Sequence, residues 1–247
     1  MKNDKGGIDL EGRIAKIREE ERKYHESCYE NYKLFEAGTW LHKPVKTVMD
    51  HLMQFQDNEN ISILDLGSGV GRNSIPMAET LKHRSGRVVC VDILESALNK
   101  LMNYSDHYDV KPYIEPVLCE IEDYNITENH FHYIVAVSTL EHVKSEALFV
   151  EVLMNMAAGT LPNGINCIIF NTNCRETDIR TGQDLQVFME VNLSTEKAIH
   201  LFNDAYKGWQ VIDMIIKKLE FTIERNGVPI RLTSDCLTYV AKKRCQA

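Results

Sequence analysis

Two hydrophobic periods alternate along most of this chain. Short apolar runs (ISILDL, RVVCVDI, YIVAVS, INCIIFN) are separated by longer stretches such as RNSIPMAETLKH, LESALNKLMNYS and TLEHVKSEALFVEVLMNMA. Compact apolar runs bounded by polar turns predict buried strands, and apolar residues recurring every three or four positions predict helices. Their alternation predicts βαβ units: a parallel sheet covered on both faces, with right-handed crossovers. YIEPVLCEI fits one more strand of that series.

Both ends depart from the rule. Over residues 9–36, Leu10, Ile14, Ile17, Tyr24, Cys28, Tyr32 and Phe35 recur at spacings of three, four and seven, with charges such as REEERK between them. This predicts one long helix whose apolar face is interrupted by Glu21. The Gly38-Thr39-Trp40 break and Pro44 end it, and VKTVMDHLMQF begins another helix. Near the other end, Thr195 to Lys207 reads as helix, Gly208 as its C-cap and WQVIDMIIKKLEFTIE as mainly strand. Asn226-Gly227 predicts a hairpin turn before a last strand in LTSDCLTYVAKK. The expected fold is therefore α/β and doubly wound. It has a mostly parallel seven-stranded sheet, a C-terminal antiparallel hairpin and an N-terminal helical lid. No linker or repeat divides it, so residues 1–247 are expected to form a single domain, with 1–56 as lid and 57–247 as core.

Composition narrows the class. The 247 residues are 44% hydrophobic and 26% charged, ordinary for a soluble globular protein. A net charge of −8 argues against a general nucleic-acid or anionic-membrane binder. No run approaches the ~18 to 20 apolar residues of a membrane span, and the N-terminus lacks the apolar core of a secretory signal. The seven cysteines form no CxxC pair and no Cys/His ligand spacing. The expectation is thus a cytoplasmic protein without metal, nucleic-acid or membrane partners.

The stretch ILDLGSGVGRNSIPMA carries the chemistry. Gly67, Gly69 and Gly71 stand at alternate positions between a strand and a helix, and Asp65 lies two residues before the first. Glycine permits positive φ and removes the Cβ that would keep a ligand away. The helix N-terminus favours an anionic or polar group. The spacing is D-x-G-x-G-x-G, not the G-x-G-x-x-G of dinucleotide loops, which leaves an NAD-dependent oxidoreductase as a minor reading.

At these residues the sequence resembles the class I methyltransferases that use S-adenosylmethionine, whose fold is Rossmann-like. The resemblance covers roughly residues 60 to 242. It assigns Asp65, Gly67, Ser68, Gly69 and Gly71 to a cofactor loop. It also implies that Asp92, ending RVVCVDI beside Ile93, meets the ribose hydroxyls, with N-capping as a role that can coexist. Glu120 and the Ile121 amide, in VLCEIEDYN, would meet adenine, and a carbonyl near Ser138 the methionine ammonium. His132 stands where many relatives carry aspartate, a structural position. The short C-terminal part and GWQVID are similar to tellurite-resistance-type and related small-molecule methyltransferases.

The implied activity is methyl transfer from S-adenosylmethionine to a small-molecule acceptor by in-line displacement, leaving S-adenosylhomocysteine. A non-catalytic sensor or allosteric subunit that binds the same cofactor is the other reading. Alignment of the reactants supplies most of the rate, so no elaborate catalytic dyad is needed. His142 is a candidate base, and otherwise a packing or solvent-facing histidine. Trp40 is a candidate substrate contact on a closing lid, or a buried anchor for it. Arg175 and Arg180, in a polar stretch after the fifth strand, are candidate substrate contacts or plain solvated charges. Tyr29 and Tyr32 read as packing. The chain is expected as monomer or homodimer, since the first helix suits a partner helix as well as a lid.

Overall fold

A computed structural model describes residues 10–225 and 227–245. Helix α1 (Leu10–Asn31) and helix α2 (Lys46–Leu52) precede strand β1 (Asn60–Leu66). The alternating part follows as α3 (Ser74–Glu79), β2 (Ser85–Asp92), α4 (Glu95–His107), β3 (Ile114–Leu118), β4 (Phe131–Val137), α5 (Glu146–Gly159) and β5 (Thr160–Asp178). The chain ends in β6 (Asp184–Leu185), α6 (Thr195–Ala205), β7 (Gln210–Arg225) and β8 (Val228–Lys242).

The sheet runs in the order β3-β2-β1-β4-β5-β8-β7, parallel from β3 to β5 and antiparallel beyond. The two-residue β6 adds an eighth strand against β5. The expected seven strands and closing hairpin are thus present. Strand order reverses between β1 and β4, so a crevice opens at the carboxyl end of β1.

Burial follows the pleat. Ile61, Ile63, Val88, Cys90, Tyr133, Val135, Ile165 and Cys167 face one core, packed with α2, α3 and α4. Leu64, Leu66, Val89, Val91, Ile134, Ala136, Ile168 and Phe170 face the other, under α5 and α6. Successive strand residues point to opposite faces, so near-continuous apolar runs are what a sheet covered on both sides demands.

Several boundaries differ from the sequence reading. Helix α1 stops at Asn31, and the chain reverses through Phe35, held in the left-handed region at φ 65°. The helix expected from Thr139 begins at Glu146, because the Ser145 hydroxyl caps it by accepting the Leu148 amide at 3.2 Å. The stretch NTNCRETD, read as a loop, continues β5 to Asp178, paired with β8 except at the irregularity of Asn173 and Cys174. Asn226 lies outside the described residues; Gly227 has φ 74°. His132 is structural, its Nδ1 accepting the Ser62 amide at 3.1 Å across β4 and β1.

Candidate functional site

The glycine loop hangs from the end of β1. Gly67 and Ser68 both donate their amides to the Val91 carbonyl, at 2.8 and 3.0 Å. Gly67, Gly69 and Gly71 have φ of 70°, 54° and 94°, a region that side chains with a Cβ enter only at a cost. A Cβ on Gly67 would collide with the Thr139 side chain, and one on Gly71 with Leu101. One on Gly69 would lie 2.9 Å from the Tyr29 hydroxyl. So the glycines serve close packing of the loop against β4 and α4 as well as any ligand.

Two carboxylates brace this turn from below. Asp65 is 1% exposed and accepts the Ser74 hydroxyl at 2.5 Å, tying β1 to the start of α3. Burial pushes its carboxyl up to about 7, against the lowering effects of Ser74 and Arg72. Asp92 ends β2 and accepts the Gly69 amide at 2.8 Å on one oxygen and the Leu94 amide at 2.9 Å on the other. Burial raises it too, opposed by those amides. The bond to Leu94 closes a turn just ahead of α4, whose N-cap is Leu94 itself and carries no side-chain cap bond, so the N-capping role read from the sequence is not the one Asp92 fills. Each oxygen still has a lone pair, since a carboxylate accepts about four hydrogen bonds. The Ser68 hydroxyl is buried without a partner, and Ile93 is exposed beside Asp92.

Helix α1 covers the carboxyl edge of the sheet. Arg18 reaches Glu120 at 2.8 Å, Glu122 at 3.2 Å and Glu190 at 3.6 Å, and Lys144 also pairs with Glu120. Burial alone would raise Glu120, but Lys144 and Arg18 together hold it down at about 2. Its carboxylate is engaged with α1 and with Lys144, while Ile121 packs on the core. Arg13 donates to the Met189 carbonyl at 2.8 Å, joining α1 to the segment after β6.

Beneath that helix lies a cluster that the sequence did not announce. His142 Nδ1 sits 3.1 Å from Glu190 Oε2, and Glu21 and Glu141 add their charges. Burial would lower the imidazole, yet these carboxylates prevail and push it up to about 9. Glu141 is 1% exposed; one oxygen accepts from the Asn171 amide and side chain, and the other has no partner. Ser138, at φ 49°, donates its amide to Ile169.

The remaining candidates divide by location. Trp40 packs near His25 and Tyr29, with the Arg72 guanidinium 5.3 Å from its ring. Arg72 also donates to the Trp40 carbonyl at 2.9 Å, so this tryptophan is stitched to the glycine loop. It is 39% exposed. Burial and the charge on His142 lower His25 to about 4. Arg175 is an exposed residue of β5, opposite Thr233, and not on a loop. Arg180 pairs with Asp178 at 3.4 Å. Neither is brought to the glycine loop by a contact. A surface cleft of about 500 Å³, lined in part by Asn58, Glu59 and Arg84, lies at the amino ends of β1 and β2, away from this site. Tyr29, Glu21 and Glu190 are the site residues missed by sequence reasoning. Tyr29 looked like one more apolar-face residue, Glu21 stood out only as a break in that face, and Glu190 carries no local signal.

A reversal point in a mostly parallel sheet, a bend of left-handed glycines after β1 and an acid ending β2 define a Rossmann-like nucleotide-type crevice. Residues 63–164, which contain all three, match the family model of a methyltransferase domain. That match spans less than half of the chain, and the fold is one that solved methyltransferases share. TehB from Haemophilus influenzae shares the fold with a TM-score of 0.60 at 18% identity, over 90% of this chain and 67% of that one. So does the N1-methyltransferase of 1,6-didemethyltoxoflavin from Burkholderia thailandensis, solved with its acceptor and S-adenosylhomocysteine bound: TM-score 0.60, 14% identity, 99% and 94% coverage. The cyclase SpnF is also similar, with a TM-score of 0.54 at 10% identity over 81% of each chain. At these identities the likeness is one of fold. No curated protein matches the sequence.

Among the described residues no helix is long and apolar enough to cross a membrane.

Proposed function

We propose that this chain is an S-adenosylmethionine-dependent methyltransferase acting on a small molecule held beneath α1. The observation that carries the reading is the Asp92 carboxylate. It is fixed by the Gly69 and Leu94 amides at the reversal point of a methyltransferase domain, with lone pairs to spare. That arrangement fits a ribose diol, and the unpartnered Ser68 hydroxyl fits a polar ligand beside it.

The cofactor, when bound, supplies a methyl group already activated on a sulfonium. Gly67, Gly69 and Gly71 give it backbone access, Asp92 holds its ribose beside Ile93, and Ile121 and Glu120 meet its adenine. The carbonyl of Ser138 receives its ammonium group. Because Glu120 also holds Arg18, adenine binding and lid position share one carboxylate. Helix α1 excludes water and, with Trp40, aligns the acceptor, the chief requirement for in-line displacement. The Burkholderia enzyme, an N1-methyltransferase of 1,6-didemethyltoxoflavin, supports a small molecule here. The fold shared with SpnF, a cyclase, supports a second reading, in which this chain binds the cofactor and transfers no methyl group.

Thermal melts with S-adenosylmethionine, S-adenosylhomocysteine and NAD test binding. Ligand at about 100 times its Kd stabilises a fold by ~2.7 kcal/mol, on the order of 5–10 °C for a chain this size. A shift with NAD alone sinks the proposal. Methyl transfer from labelled cofactor into a metabolite extract separates the enzyme from the cofactor-binding subunit.

A further inference from the structure

Strand β7 ends the sheet, and its outer edge has no strand against it among the described residues. It runs for 16 residues with Val211, Met214, Ile215, Ile216 and Phe221 exposed. A long, exposed apolar edge is a template for another strand, and soluble proteins normally blunt such edges or pair them. The sequence of β7 states which partner fits.

We propose that two copies of this chain pair antiparallel along β7, about a twofold axis through Leu219. Such an axis, perpendicular to the sheet, keeps each face of the strand on the same side in both copies. Opposed residues must therefore have the same parity. With Leu219 opposite itself, Lys218 faces Glu220 of the second copy, and by symmetry Glu220 faces Lys218. Ile215 then faces Ile223, and Ile216 faces Thr222. At the ends Asp213, now 3.5 Å from His51, faces Arg225, now 3.0 Å from Glu176.

Neighbouring registers lose this match. A shift centred on Lys218 sets that lysine against itself, and one centred on Glu220 opposes two glutamates. A shift centred on Phe221 places Lys217 against Arg225. Only the Leu219-centred register among these opposes unlike charges at every charged pair it forms between Asp213 and Arg225, Met214–Glu224 and Lys217–Phe221 being mixed contacts. Cross-strand pairs of opposite charge and of β-branched residues stabilise a ladder, whereas like charges directly opposed weaken it. The interface is isologous and closes at two copies, so it does not propagate into fibres.

Sedimentation equilibrium on the full chain, from about 1 to 100 μM, tests the pairing. Wild type is expected to dimerise. Glu220→Lys opposes lysines at both symmetry-related positions and should raise the dimer Kd on the order of tenfold. Adding Lys218→Glu restores unlike pairs and should bring the dimer back. This second variant guards against reading a folding defect as lost association. In a Cys245→Ser background, Leu219→Cys places two thiols across the axis, and oxidation should join the copies covalently. A chain that stays monomeric throughout overturns the proposal. So does a dimer that ignores the charge exchange, or one in which Cys introduced at 219 does not crosslink.

Discussion

Asp92 joins a structural role in the fold to the ligand role proposed for it. Its oxygens hold the Gly69 and Leu94 amides, so removing the carboxylate loosens the loop as well as any ribose contact. Asp92→Ala is expected to weaken S-adenosylmethionine binding by about 1.5–3 kcal/mol, read by calorimetry on a variant that still folds. Asp65 titrates near neutrality for a different reason, its burial. Its pKa is raised from 3.8 to about 7, so its stabilising contribution is full below 3.8 and is lost as pH rises through 7. Asp65→Asn removes that slope. The melting temperature of the variant minus that of wild type should climb from pH 5 to pH 8, and a flat difference would contradict the assignment. His142 has the opposite character, a cation up to about pH 9. If it is the base, transfer should accelerate about tenfold per pH unit from 7 toward 9 and lose that dependence in His142→Gln. A pH-independent rate removes it from the chemistry. The two aspartates were legible because strand, turn and helix lie within a few dozen residues. Glu190 and Tyr29 were not, since each reaches the site from an element far away in the chain.

Elements were legible where one physical rule governed them. Burial on both faces wrote the parallel strands as plain apolar runs, and these stand where the pattern put them. Misreadings came where polar residues belong to regular structure. NTNCRETD looks like a loop, yet β5 carries it because Thr172 and Asn173 bond to Asp235 on β8. Likewise TLEHVKSEALF has helical spacing throughout, but a hydroxyl at Ser145 sets the true start of α5. Ser145→Ala should therefore cost roughly 1 kcal/mol in a urea titration. A loss under 0.3 kcal/mol would mean the cap is idle.

For the molecule as a whole, the charge balance is local before it is global. A net charge of −8 suits a small-molecule site, but the ion pairs that matter gather where α1 meets the loops after β3, β4 and β6. Composition could not reveal this, because pairing depends on the three-dimensional approach of Arg18 to Glu120, Glu122 and Glu190. Partly exposed pairs of this kind are screened by salt. Raising ionic strength from 0.05 to 0.5 M should thus increase amide hydrogen exchange in α1 before it affects the sheet. Equal protection at both salts would show that apolar packing alone holds the helix.

Trp40 gives this architecture an optical consequence. The chain has two tryptophans. Trp209 lies against Tyr206 and Lys243, near the opposite end of the sheet, whereas Trp40 stacks on Arg72 at the glycine loop. Replacing Trp209 with phenylalanine would leave a single emitter beside the crevice, its indole already in contact with a cation that follows Gly71. Emission wavelength and quenching by iodide would then read the loop and the covering helix in real time, with no label attached.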